Sequence, residues 1–251
     1  MKSFALATVI GATNALQTSE LNYMNYMATF NKQHDDVESF NFSHANFQFV
    51  DAFIKEHNAT NATFTVGHNK FSDMSAVEKK MMNGYVSGEN NLKSYTVLDT
   101  TMNANEVNWV LAGAVTPVKD QGQCGSCWAF SSTGSLEGAH FVATGELLSF
   151  SEQQLVDCAY IRYGNYGCNG GLQTNAYRYY EAGNFAELDS VYPYTSGKGV
   201  RGTCTYDASS TTAVGVTTYK DVTPNNVAQM KSALNQQPLA VAIQADQMVF
   251  Q

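Results

Sequence analysis

The sequence is short of charge, of proline and, over its first hundred residues, of cysteine. Only 14% of its 251 residues are charged, and acidic side chains outnumber basic ones 22 to 14, for a net charge of −8. So few basic groups leave no cationic surface for nucleic acid or an anionic membrane, and no nucleic-acid partner is expected. No stretch reaches the ~18 consecutive apolar residues that a membrane span requires, so none is expected. The single C-x-x-C has no second C-x-x-C and no histidine pair at ligand spacing beside it, so neither a metal nor a cofactor is expected. Hydrophobic residues at 44% are enough for a sizeable core, and the chain is expected to be globular and monomeric.

What is present begins at the N-terminus. MKSFALATVIGATNA has Lys2, an apolar run from Phe4 to Ile10 and small residues to Ala15, the layout of a cleaved secretory signal over residues 1–15. Three N-x-S/T sites, at Asn41, Asn58 and Asn61, agree with entry into the secretory pathway, an oxidising compartment in which cysteines pair.

Two regions differ in composition. Residues 16–100 contain neither cysteine nor proline. There, NFQFVDAFIKEHN repeats apolar residues at three and four, predicting a helix. SDMSAVEKKMMNGY predicts another, capped by Ser72 or Asp73 and followed by Gly84. The polar stretch from Tyr85 to Glu106 reads as an exposed linker. Beyond it the segment after Cys127 has helical spacing to about Ala143, with Gly145 to end it, and LLSFSEQQLVDC reads as a helix capped by Ser151. TAVGVTTYKDV and PLAVAIQA are rich in β-branched residues and are expected to be strands.

The chain has 5 cysteines, an odd number, so an oxidising compartment leaves one unpaired. The pair Cys124 and Cys127 could form a redox couple or half of a zinc site, or could combine a nucleophile with a structural neighbour. In the last case Cys127 begins a helix, whose unpaired amides stabilise negative charge beside its sulfur. The amide of Gln121 could then donate to an oxyanion forming next to it.

QGQCGSCWAF, from Gln121 to Phe130, resembles the active-site segment of the papain and cathepsin L family of cysteine peptidases. VNWVLAGAVTPVKDQ, LSFSEQQLVDC, GCNGGL, VYPYT and QPLAVAIQA are similar to further landmarks of that family, in the same order. Asn108 stands where the family has aspartate. Upstream, GHNKFSD satisfies the G-x-N-x-F-x-D element of the family's inhibitory propeptides. The longer helical propeptide pattern is met at Phe47, Ile54 and Asn58, while Ser39, Ser43 and Val50 replace its glutamate, arginine and asparagine.

The resemblance implies an α+β, papain-like two-domain fold behind a helical inhibitory propeptide. Its domains are a signal peptide over 1–15, a propeptide over 16–103 and a peptidase domain over 104–251. It implies bridges Cys124–Cys168 and Cys158–Cys204, a catalytic Cys127 and Gln121, and a substrate cleft formed by Gly170, Gly171, Leu172, Gln173 and Ala242. The implied activity is that of a cysteine endopeptidase zymogen acting through a thioester, with peptides and proteins as substrates and its own propeptide as inhibitor. The implied location is the lysosome, vacuole or extracellular space. Such chemistry needs a histidine. Four of the 5 histidines, His34, His44, His57 and His68, lie in the propeptide region. His140 follows Cys127 along one helix by about 20 Å. The family's histidine and asparagine lie about 130–150 residues after the cysteine, past Gln251. The chain is therefore expected to be a C-terminally incomplete precursor, inactive alone. The competing expectation is a non-catalytic binding or inhibitory module.

Overall fold

Helix α1 (Thr18–Phe30) and helix α2 (Val37–Asn58) pair through aromatic side chains. The computed structural model describes residues 17–86, 97–101 and 103–250. The expected signal segment and the middle of the linker, 87–96, lie outside the described residues. Two compact units emerge, divided between Ser75 and Ala76.

The first unit has an unusually aromatic core. Tyr23, fully buried, stacks on Tyr26 with centroids 5.8 Å apart, and both rings meet Phe47. Phe47 in turn stacks on His68 at 4.4 Å. Asp73 holds this cluster from beneath, accepting from Tyr26 Oη (3.0 Å), Tyr23 Oη (3.3 Å) and Lys32 Nζ (2.7 Å). Burial and the adjacent Asp73 carboxylate both push the two phenols well above the usual tyrosine range. Of the positions where the propeptide pattern is not met, Val50 is buried and Ser43 is half-buried.

Two expectations change here. Helix α2 begins at Val37, well before the apolar repeat, because Asp36 caps it by accepting from Ser39 N at 2.7 Å. Helix α3 is short (Ala76–Met81), and neither Ser72 nor Asp73 caps it. Asp73 is occupied by the phenols and Lys32, and Ser72 Oγ accepts from Asn69 N at 3.0 Å.

The second unit is built on α4 (Cys127–Thr144), α5 (Glu152–Cys158), α6 (Gln173–Glu181) and α7 (Val227–Leu234). Gly145, in the left-handed region at φ 79°, ends α4, and the side chain of Ser151 caps α5 by accepting from Gln154 N. Trp128, Phe150, Leu155, Val156, Tyr179 and Tyr180 form the core where α4, α5 and α6 meet. Leu98 exchanges two hydrogen bonds with Gln229 of α7, and Asn103 accepts from Ser232 of the same helix. Both ends of the expected linker are therefore held, with Tyr85 pairing to Gly171.

Neither expected strand forms a ladder among the described residues. Thr212 N donates to Ala186 O and Ala186 N to Val214 O, while Val214 N turns back to Thr212 Oγ1. In PLAVAIQA, Val241 N donates to Ser131 Oγ, and Val241 O accepts from Ser131 and Gln173. β-branched residues favour an extended backbone, but a strand also requires a neighbouring backbone in register. At Val241, side chains of α4 and α6 bond the backbone groups instead.

Candidate active site

Cys127 is the first residue of α4 and the free cysteine, half-buried. Disulfides join Cys124 to Cys168 and Cys158 to Cys204. The first bridge lies beside Cys127, where Gly125 N donates to Cys168 O at 2.9 Å. Trp128, buried behind the thiol, donates through Nε1 to Gly167 O at 3.1 Å. The helix start and the loop 167–171 are thereby fixed to one another from both sides.

Gln121 points its amide along the same loop. Nε2 donates to Cys124 O at 2.7 Å and to Met82 O at 2.8 Å. The second partner belongs to the stretch that follows α3. Gly171 N donates to Gly84 O at 2.8 Å and Val86 N to Gly171 O at 3.3 Å, so Tyr85 forms a parallel bridge with Gly171. Glycine is required on both sides of this approach. A Cβ on Gly84 would lie 1.9 Å from Gly125 O, and one on Gly170, at φ +107°, would lie 2.8 Å from Gly84 O. A Cβ on Gly171 would meet Trp128 and Asn165 at under 3 Å, so that glycine also serves the packing of the loop.

Leu172, Gln173 and Ala242 line a cavity of about 1060 Å³, together with Tyr85, Leu136 and Ala139. Gln173 reaches across it to Val241 O at 3.0 Å. Cys127 and Gln121 are not among its lining residues. The seven residues with expected site roles thus fall into two groups: Gln121, Cys127, Gly170 and Gly171 around the α4 start, and Leu172, Gln173 and Ala242 in the adjoining cavity.

Two features carry no obvious mark in the sequence. Tyr194, in VYPYT, donates to Gln121 O at 2.8 Å and bonds Ser126 Oγ at 2.8 Å, tying the residue before Cys127 to the backbone of Gln121. Lys119 lies between two buried carboxylates, with Nζ 2.8 Å from Glu137 Oε1 and 2.6 Å from Glu152 Oε1. Burial pushes the Glu152 carboxyl above the ordinary range despite its bonds from Lys119 and Thr133. Lys119 is itself desolvated, but the two carboxylates outweigh this and hold its pKa above the usual value. The sequence signal that could have led here is Glu137, a carboxylate in the middle of the largely apolar α4.

His140 lies on α4, thirteen residues beyond Cys127 and so about 20 Å along the axis. Its ring meets Phe150 edge-on at 6.1 Å, and its buried Nε2 has no hydrogen-bond partner among the described residues. It is the only histidine in the unit that holds Cys127.

The papain family cysteine protease domain matches residues 103–251, and the cathepsin propeptide inhibitor domain matches residues 23–78. Digestive cysteine proteinase 1 of Homarus americanus is 37% identical over 243 residues, which is 94% of this chain and 74% of the lobster protein. Digestive cysteine proteinase 2 of the same species is 40% identical over 206 residues, 79% of this chain and 62% of its own length. Among solved structures, digestive procathepsin L 3 from the larval midgut of Tenebrio molitor superimposes with a TM-score of 0.77 at 31% identity, covering 88% of this chain and 71% of that one. With a papain-type protease domain behind a propeptide inhibitor domain, the chain belongs to the papain family of cysteine proteases, among its cathepsin L-like proenzymes.

Proposed function

We propose that Cys127 is the nucleophile of a cysteine endopeptidase held as a zymogen by the segment 76–86. The observation that carries this reading is the joint placement of a free thiol at the start of α4 and of the Gln121 amide on the loop leading to it. In the reaction the thiolate attacks a peptide carbonyl, forming a C–S bond, and the carbonyl oxygen takes up negative charge. Gln121 Nε2 and the Cys127 backbone N–H donate to that oxygen. The C–N bond breaks, an acid protonates the leaving amine, and water hydrolyses the thioester. Gly170 and Gly171 receive the substrate backbone, and Leu172, Gln173 and Ala242 receive the side chain two residues before the cut, with a preference for leucine, phenylalanine or valine. In the zymogen the backbone of 82–86 takes both the Gln121 amide and the Gly171 edge. Residues 1–15 would direct the chain into the secretory pathway, to an acidic compartment or to the exterior.

One observation favours a second reading, a papain-fold module that binds without cutting: His140 packs on Phe150, about 20 Å along α4 from Cys127. Hydrolysis of a fluorogenic dipeptide amide by the acid-treated native gene product separates the two. Turnover that disappears in Cys127→Ala supports the endopeptidase, whereas peptide binding without cleavage supports the module.

A further inference from the structure

Each of the three N-x-S/T sites is read by a transferase as two groups, the asparagine amide and the hydroxyl two residues on, so both must be reachable together. The folded pro-region treats the three sites differently. Asn58 closes α2 and forms a two-bond pairing with one residue: Val66 N donates to Asn58 Oδ1 at 2.9 Å, and Asn58 Nδ2 donates to Val66 O at 2.8 Å. Its hydroxyl partner, Thr60, donates to His57 O at 2.7 Å. Asn41 lies within α2, where residues two apart point to different faces. Asn41 is exposed, but Ser43 is half-buried on another face of the helix. Asn61 and Thr63 are both exposed on a non-helical segment, and neither side chain has a hydrogen-bond partner among the described residues.

We propose that Asn61 carries an Asn-linked oligosaccharide in the folded protein, and that Asn58 and Asn41 do not. The donor class is a lipid-pyrophosphate-linked oligosaccharide. The amide nitrogen forms a bond to the anomeric carbon, that carbon's bond to the pyrophosphate oxygen breaks, and the nitrogen loses one proton. The geometry of the product is what excludes Asn58. A glycosylated amide is a secondary amide, planar and trans, with its remaining N–H opposite the oxygen and the sugar on the oxygen's side. A pairing that uses Oδ1 and Nδ2 together toward one residue needs the hydrogen beside the oxygen. The sugar replaces that hydrogen, so a glycan at Asn58 and the Asn58–Val66 pairing exclude one another. Without that pairing the end of α2 loses both of its bonds to Val66, next to the start of GHNKFSD. At Asn61 a sugar displaces nothing.

The proposal rests on entry into the secretory pathway, and its test separates the two. The full chain is translated with microsomes, and protection from added protease establishes entry. Enzymatic deglycosylation in heavy-oxygen water then marks each glycan-bearing asparagine as labelled aspartate for peptide mapping. In soluble, disulfide-bonded protein the label is expected at Asn61 alone, and Thr63→Ala, which alters an exposed and unpartnered side chain, is expected to abolish the shift in mass. Label at Asn58 or Asn41 in that fraction overturns the proposal, as does protected chain with no label. Unprotected chain overturns the secretory reading and the proposal with it.

Discussion

The side-chain amide of Gln121 is closed by the backbone of Met82, whose carbonyl oxygen accepts from Nε2 at 2.8 Å. An amide that would serve an oxyanion in the working enzyme is here bonded to a neutral carbonyl. Two further backbone bonds, from Gly171 to Gly84 and from Val86 to Gly171, hold the same segment down. On the proposed reading of the site, this segment occupies the groups that a substrate would use, and its close approach requires Gly84 to have no side chain.

Gly84→Leu should lift this segment, because its Cβ would fall 1.9 Å from the immobile Gly125 carbonyl. Two backbone bonds are worth about 1–2 kcal/mol net, so the open form should become about tenfold more populated. Alkylation of Cys127 by iodoacetamide in the full chain is expected to accelerate to match. An unchanged rate would mean that residues 82–86 do not limit access to the thiol.

In the first unit, Asp73 accepts from two phenols and an ammonium while only 4% exposed. Asp73→Ala removes the buried carboxylate shared by Tyr23 and Tyr26, leaving Tyr23 with His34 Nε2 and Tyr26 with the Asn69 carbonyl. The expected loss is about 3 kcal/mol, in the range seen when a buried charged acceptor is removed. Urea titration of the full chain, followed by proteolysis within residues 17–75, should show that region opening at lower denaturant while the second unit resists as before. A shift confined to the second unit would contradict the assignment.

Most helices could be read from spacing and caps, because those signals are local. The run after Cys127 ends at Gly145 as its glycine suggests, and Ser151 caps α5. The early start of α2 rests on a local cap, Asp36, whereas the misreadings of Asp73 and of PLAVAIQA are non-local. Asp73 looked like a helix cap because nothing nearby in the sequence shows that Tyr23, Tyr26 and Lys32 reach it across more than forty residues. PLAVAIQA looked like a strand because β-propensity says nothing about whether a partner is beside it, and Ser131 and Gln173 took its backbone groups. Around Cys127 the motif and the odd cysteine count were legible. The occupation of Gln121 by Met82 was not, since it requires the chain to return over some forty residues.

The buried Glu152 beside Lys119 should make the second unit more stable in acid. The folded-state pKa of Glu152 is raised by burial, so ionising it costs stability. That penalty is absent below the ordinary carboxylate value of about 4 and grows as pH rises through the raised folded value. Denaturant midpoints of the second unit should therefore fall between pH 4 and neutrality, and Glu152→Gln should flatten this dependence. In the first unit Asp51 acts in the opposite sense. It is partly buried, but bonds from Lys55 and His68 outweigh this and hold its pKa below the usual value, so its contribution disappears as pH drops below about 4. A second unit whose midpoint rises with pH, or a variant with an unchanged slope, would count against the role given to Glu152.

The last prediction concerns the base. A cysteine peptidase needs a proton acceptor beside its thiol and a donor for the leaving amine, help that is typically worth about 10²–10⁴-fold. His140 cannot give it: α4 is a continuous helix, so its ring stays about 20 Å along the axis from Cys127 while packing on Phe150. Residues 1–251 alone, with the pro-region cut away, should hydrolyse a fluorogenic dipeptide amide at negligible rate in reducing buffer at acid pH. His140→Gln should leave Cys127 alkylation unchanged, since the two side chains share no contact. It should alter only stability, through the lost packing on Phe150. Turnover at the level of the related digestive proteinases, abolished by His140→Gln, would show that α4 breaks in the active form and that His140 is the base after all. Turnover that persists in His140→Gln would place the base elsewhere in these 251 residues, and the reading of Cys127 as unassisted would be wrong.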